Sequence, residues 1–256
     1  MASLQEADVE ISTGTARYKP IFGEGDDSKK LMKAIKRFGH LSIVPNGKSK
    51  SVKYGREELA CYVLSGTGML HYENRDVPIS KNDFFYVPIG TKHGFSNPRE
   101  DTLKVLVIGV SIPADTIVKP TTELKIASAN NLAFQSLSKS HGETSKYQLL
   151  MGTTRSIRDR LASANQISSL FVIDFAPGGT NIPHKHKEDE EIYFMLEGSG
   201  EMVSRETPKG KEMRYPTKEG DTFLYLPNTL VGFYSPAKPE AEHTRILAIR
   251  VKSPKQ

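Results

Sequence analysis

His184-Lys185-His186-Lys187-Glu188-Asp189-Glu190-Glu191 is the stretch whose reading decides the fold. On a β-strand alternate side chains share a face, so His184 and His186 point the same way with α-carbons about 6.5–7 Å apart. Two imidazole nitrogens so placed can converge on one ion at about 2.0–2.2 Å, as can a carboxylate. The acidic run 188–191 is read as a turn that lets Glu191, opening the next strand, supply the third ligand. Two neutral nitrogens and one carboxylate suit a divalent ion of the iron, manganese, nickel or zinc type.

The flanks are strand-like. Pro177-Gly178-Gly179-Thr180-Asn181-Ile182-Pro183 is a Gly/Pro-rich entry that ends one strand and starts another. Ile192-Tyr193-Phe194-Met195-Leu196 reads as a strand closed by the turn Gly198-Ser199-Gly200. Gly178, His184, His186, Glu191 and Gly198 together resemble the first motif of the cupin superfamily: Gly, His-x-His, Glu and Gly at fixed spacing.

An internal repeat sets the architecture. Leu64-Ser65-Gly66-Thr67-Gly68 mirrors Leu196-Glu197-Gly198-Ser199-Gly200, and Asn82-Asp83-Phe84-Phe85-Tyr86-Val87-Pro88 mirrors Gly220-Asp221-Thr222-Phe223-Leu224-Tyr225-Leu226. The second copy is longer between these blocks, within Ser204 to Lys218, which reads as an extended hairpin loop. Gly94-Phe95 with Pro98 then mirrors Gly232-Phe233 with Pro236. Short β-type runs such as Lys104 to Val110, Ser169 to Phe175 and Arg245 to Val251, separated by turns, suggest a sandwich or barrel.

The expected fold is therefore all-β. The resemblance implies two tandem cupin jelly-roll barrels, a bicupin, joined by a short helical connector. The expected division is an N-terminal arm over 1–39 packing on a barrel, a first barrel over 40–112, a connector over 113–164 and a second barrel over 165–252. Ser156 to Ala164 is the expected helical turn of the connector. Ser28 to Phe38, with Leu31, Ile35 and Phe38 on one apolar face, is read as a short helix or strand covering a barrel edge.

The two copies differ in chemistry. Val52, Tyr54 and Leu59 stand in the first copy where His184, His186 and Glu191 stand in the second. The family's second motif survives in the first copy as Pro88-Ile89-Gly90-Thr91-Lys92-His93, with Asn82 in place of its leading glycine. Tyr54 and His93 are the only candidate site pair there, as a degenerate metal position or an acid–base pair. A one-residue slip in that strand would turn Glu58 inward in place of Leu59. In the second copy Val231 occupies the position of the family's fourth ligand, a histidine. The resemblance then implies three ligands and an open face. Tyr193 and Met195 are expected to line the pocket by strand alternation. Tyr225 and Phe233 are further candidates, and the two tyrosines are candidate donors to a bound oxygen. His243 is read as an exposed strand end.

Composition narrows the class. The 256 residues include 37% hydrophobic and 25% charged, a globular balance. No apolar run approaches the roughly 20 residues that span a bilayer, and no membrane partner is expected. Met1 to Ile11 carries Glu6, Asp8 and Glu10 and lacks the apolar centre of a secretion signal. Cys61 is the single cysteine, so no intrachain disulfide forms, and a reducing, cytoplasmic setting is expected. The net charge of +5 is spread over Lys29 to Arg37, Lys48 to Lys53 and isolated lysines. Neither cluster is interleaved with aromatics, so no nucleic-acid partner is expected.

The function expected from the site is action on a small, oxygen-rich molecule through one divalent ion, by dioxygen activation or by Lewis-acid isomerisation or lysis. The alternative is a non-catalytic bicupin that binds a sugar or other small ligand. A homodimer is expected from the resemblance alone.

Overall fold

The computed structural model describes residues 11–118, 121, 123–137, 144–205, 210–238 and 242–254. Its strands in chain order are β1 (Ala16–Gly23), β2 (Ile35–Ile43), β3 (Glu57–Ser65), β4 (Thr67–Tyr72), β5 (Arg75–Ser80), β6 (Asp83–Val87), β7 (His93–Ser96), β8 (Leu103–Ser111) and β9 (Lys125–Ser128). They continue as β10 (Ser145–Thr153), β11 (Leu161–Ala164), β12 (Ile167–Phe175), β13 (Thr180–Lys185), β14 (Asp189–Glu197), β15 (Ser199–Ser204), β16 (Met213–Lys218), β17 (Thr222–Tyr225), β18 (Leu230–Tyr234) and β19 (Thr244–Lys252). Among the described residues no helix is long and apolar enough to cross a membrane.

Two compact units result, each an antiparallel jelly roll. One comprises 1–131 with 161–166, the other 132–160 with 167–256. In the first, a sheet ordered β1-β2-β8-β3-β6-β9 faces the smaller sheet β5-β4-β7. In the second, strands ordered β10-β12-β19-β14-β17 face the sheet β13-β18-β15-β16. Alternation explains the cores. Leu59, Cys61 and Val63 of β3 lie in the first, Tyr193 and Met195 of β14 in the second, while the intervening residues face the other way.

Strand register confirms the repeat residue by residue. Leu59 pairs with Val87 on β6 and Gly109 on β8; Glu191 pairs with Tyr225 on β17 and Arg250 on β19. Val52 bridges His93 just as His184 pairs with Val231. Backbone conformation is shared even where residues differ. Asn82 has φ 72° at the position of Gly220 with φ 87°, and Gly90 has φ 72° where Asn228 has φ 67°. Asparagine is the residue that best tolerates this left-handed region after glycine, which is why the swap preserves both turns.

Two expectations are corrected. The described residues of the connector are not α-helical: within 113–164 they form strands β9, β10 and β11 and one 3-10 turn at Ala129–Asn131. Ser156 to Ala164 does not wind into a helix: the Arg160 N–H donates to the Leu149 carbonyl at 3.1 Å and Leu161–Ala164 is the extended strand β11, so the backbone donors that would continue a helix go elsewhere. The stretch over 1–39 is also more than an arm on a barrel. β1 and the start of β2 are hydrogen-bonded members of the first sheet, and Ala16 and Tyr18 alternate into its core. Between them a single 3-10 turn, Asp27–Lys30, is capped by Asp26, and it leaves Leu31 exposed while Ile35 and Phe38 are buried. Residues 1–10 lie outside the described set.

Candidate metal centre

β13 presents His184 and His186 to the inside of the second barrel, as alternation requires. Their Nε2 atoms lie 3.0 Å apart, with the rings perpendicular. His184 Nδ1–H donates to the carbonyl of Ile182 at 2.8 Å, which leaves its Nε2 as a lone-pair donor. The turn between the histidines and Glu191 is tighter than expected: β14 begins at Asp189, so Glu191 sits inside the strand rather than opening it. Its carboxylate is buried. One oxygen, Oε1, accepts from Arg250 Nη2 at 3.2 Å. The other, Oε2, stands 3.4 Å from His186 Nε2 and has no hydrogen-bond partner. Burial pushes the Glu191 carboxyl up to about 7, against the opposing pull of Arg250.

The structure thus chains the three residues through His186. It does not draw three or more His, Cys, Asp or Glu side chains, among those described, into a finished cage. The donor set nonetheless suits a cation. The lone-pair nitrogen of His184 lies 3.0 Å from the His186 Nε2, which in turn lies 3.4 Å from a carboxylate oxygen without a hydrogen-bond partner. A desolvated carboxylate oxygen left without a partner is costly unless something positive sits against it.

A cavity of about 360 Å³ opens beside these groups. His184, His186, Tyr193, Asn181 and Arg250 form its polar wall, while Leu149, Phe171 and Ile173 form its apolar wall, and Arg158 stands at its exposed rim. Tyr193 Oη accepts from Asn181 Nδ2 at 2.9 Å. Tyr225 packs edge-on against Tyr193, ring centroids 5.7 Å apart, with its buried hydroxyl unpartnered. Burial raises both phenols above their ordinary range, so each stays protonated. Met195 and Phe233 lie in the core. His243 is half exposed and bonds Asp174 at 2.6 Å, at the strand end expected for it.

Arg250, Arg158 and Asn181 escaped the motif reading. A signal existed for Arg250: it follows Ile246 and Ala248 at period two, a charge in the row of β19 that otherwise enters the core. Arg158 and Asn181 lie on segments whose facing only tertiary packing decides.

The first barrel holds different chemistry. Tyr54 and His93 do meet, ring centroids 5.8 Å apart. The Arg37 guanidinium lies 4.2 Å over the Tyr54 ring and is paired with Glu57, so a tethered cation already fills the barrel mouth. Leu59 is buried in the apolar cluster, and Glu58 faces the opposite side of β3. Cys61 is fully buried, with its thiol pushed up by burial, an inert packing group. His93 is buried, and desolvation lowers it to about 4 despite the carbonyl of Thr91 accepting from Nδ1. At neutral pH it is uncharged in both folded and unfolded chains and costs nothing. As pH falls from about 6.5 towards 4, the unfolded chain takes up a proton that the folded chain refuses, so stability is lost across that window. The loss is about 3 kcal/mol at full extent. Urea melts at pH 7 and pH 4.5 are expected to show it in the native chain, and His93→Gln is expected to flatten the difference.

Comparison with known proteins identifies the fold. A family model described as Cupin domain matches residues 39–109, and one described as Cupin matches 160–246. Germin-like protein subfamily 2 member 1 of Arabidopsis thaliana is 43% identical over 65 residues, 25% of this chain and 29% of that protein. Member 2 of the same subfamily is 38% identical over 76 residues, 29% of this chain and 34% of that protein. The chain spans about a third or less of the length of the curated relatives it matches. Protein Ylba from E. coli superposes with TM-score 0.67 at 14% identity, covering 95% of this chain and 85% of that one. Oxalate decarboxylase of Bacillus subtilis, with its Mn(II) centres, superposes with TM-score 0.65 at 12% identity, covering 94% and 74%. These structural likenesses show the shared fold.

Proposed function

This chain belongs to the cupin superfamily as a two-domain bicupin, and from that premise we propose that it is a metal-dependent enzyme acting on a small, oxygen-rich anion in its C-terminal barrel. His184, His186 and Glu191 would hold the ion. The observation that carries this reading is the buried Glu191 Oε2, aimed at His186 with no proton donor of its own. A divalent ion bound there supplies Lewis-acid polarisation of a substrate oxygen or, if iron(II), activation of dioxygen. That the Bacillus subtilis fold relative has Mn(II) centres supports a divalent ion of this kind.

The chain's own residues do the rest. Arg250 fixes Glu191 through Oε1 and leaves Oε2 for the cation. With Arg158 at the rim it gives the cavity a positive bias, suited to a carboxylate or enolate substrate. Leu149, Phe171 and Ile173 exclude water from one side. Tyr193, protonated and oriented by Asn181, is placed to donate a hydrogen bond to a developing oxyanion. Val231, buried directly across from His184, offers no fourth ligand, so the proposed site keeps positions open for substrate.

The test is metal titration of chelator-stripped protein with manganese(II), zinc, nickel(II) and, anaerobically, iron(II). One ion per chain is expected to bind, and an ion at about 100 times its Kd is expected to add about 2.7 kcal/mol to stability. Absence of both saturable binding and a melting shift would overturn the reading. The second reading, a non-catalytic ligand-binding bicupin, draws on Val231 and on the filled first barrel. It is favoured if sugars or carboxylates bind equally well with and without metal.

A further inference from the structure

The barrel chemistry leaves unused a cluster on the outer face of the sheet β5-β4-β7. Leu70 and Tyr72 of β4 enter the first core, so His71 between them faces outward. Its direct partners are Asp76 on β5 and Gly94 on β7. Gly94 carries no side chain, and the His71 ring reaches Ser96, two residues along β7. His71 Nδ1 is 2.6 Å from Asp76 Oδ1, and Nε2 is 2.8 Å from Ser96 Oγ. A carboxylate only accepts, so Nδ1 carries the proton, and the Ser96 hydroxyl donates to the free lone pair of Nε2. Lys48 bridges Ser96 from the far side of β7. Directly paired residues of antiparallel strands share a face, so the Lys48 side chain leaves the segment bridged to β7 on the same face as Ser96.

Nucleophile, base and orienting carboxylate therefore stand in order on one surface, the arrangement by which serine hydrolases are recognised irrespective of fold. We propose that Ser96 is the nucleophile of a second, metal-independent centre that accepts the acyl group of small carboxylic esters. Ser96 Oγ bonds the carbonyl carbon as its proton passes to His71 Nε2, and the oxyanion forms on the face that Lys48 shares with Ser96. Collapse breaks the bond from carbon to the leaving oxygen, which takes the proton from His71. Water, deprotonated by His71, then releases the acid and restores the hydroxyl. Asp76 is largely exposed, with 68% of its side chain accessible, so its charge is screened. The expected acceleration lies at the lower end for general-base catalysis, about 100-fold.

The experiment exposes the full chain to an alkyl fluorophosphonate, which loses fluoride to an attacking serine, and maps modified peptides by mass spectrometry over time. Ser80 is the internal reference: its hydroxyl bonds a carboxylate, Asp83, at 3.1 Å without an imidazole. Ser96 is expected to react about 100-fold faster than Ser80. His71→Gln is expected to bring it to the rate of Ser80, with parallel loss of p-nitrophenyl acetate hydrolysis. Equal rates at the two serines in the native chain, which needs no variant to fold, would overturn the proposal. So would a Ser96 rate unchanged in His71→Gln.

Discussion

Glu191→Gln is expected to weaken divalent-ion binding by at least about 100-fold while leaving the metal-free fold intact. Removal of groups that merely support a metal ligand costs about 10–100-fold, and Glu191 is proposed as a ligand itself. Glutamine keeps the shape and the hydrogen bond from Arg250 but offers a neutral amide where Oε2 stands. Isothermal titration with manganese(II) measures the loss, and circular dichroism in chelator reports the fold. Val231→His is the converse change. Val231 pairs with His184 across β13 and β18, so an imidazole there joins the same face and is expected to tighten binding. Unchanged affinity in Glu191→Gln would remove the carboxylate from the site and with it the proposed three-ligand set.

Glu58→Leu is expected to be the most destabilising single change in the first unit. Glu58 is fully buried, yet four donors reach its carboxylate: Tyr86 Oη at 2.7 Å, the backbone N–H groups of Asn165 and Gln166 at 2.8 Å, and Asn165 Nδ2 at 3.0 Å. Leucine satisfies none of them, and a buried donor without an acceptor costs about 1–3 kcal/mol. A total of about 3–5 kcal/mol follows, in the range seen when one member of a buried ionic network is removed. The melting midpoint should fall by about 10 °C. Glu58→Gln, which keeps one acceptor oxygen, is expected to recover part of this in differential scanning calorimetry. A Glu58→Leu protein that melts with the native one would show that the four bonds are replaced by water at no cost.

Much of the architecture was legible because it repeats. Glycine turns at 66–68 and 198–200 and the paired strand signatures after them are local, and strand alternation carried them correctly into two cores. Asn82 was read as a departure from the family pattern, and its positive φ shows that the departure is conservative. The helical reading of 156–164 failed for a tertiary reason: the Ser156 hydroxyl does cap the turn, but the Arg160 N–H is taken by the Leu149 carbonyl and Leu161–Ala164 is drawn out as a strand. Glu58 could not be placed from sequence. The alignment put Leu59 inward unless the strand slipped by one residue, and only the burial of Glu58 under Asn165 and Gln166, about a hundred residues later in the chain, explains a fully buried carboxylate on the other face.

The candidate site divides in the same way. The His-x-His spacing, the glutamate and the missing fourth histidine at Val231 are contained in the amino-acid order, because one strand and one turn set their relative facing. Arg250, Asn181 and Arg158 joined them through pairing of β14 with β19 and packing around the cavity. The Ser96–His71–Asp76 relay was invisible in the chain for the same reason. Its members lie on three strands, and only the pairing of β4 with β5 and β7 brings them together. Periodicity and short spacings thus determined the fold and the proposed ligands, since both depend on backbone geometry over a few residues. Tertiary structure alone decided which charges are desolvated and which distant groups meet, since burial and contact belong to the packed barrel.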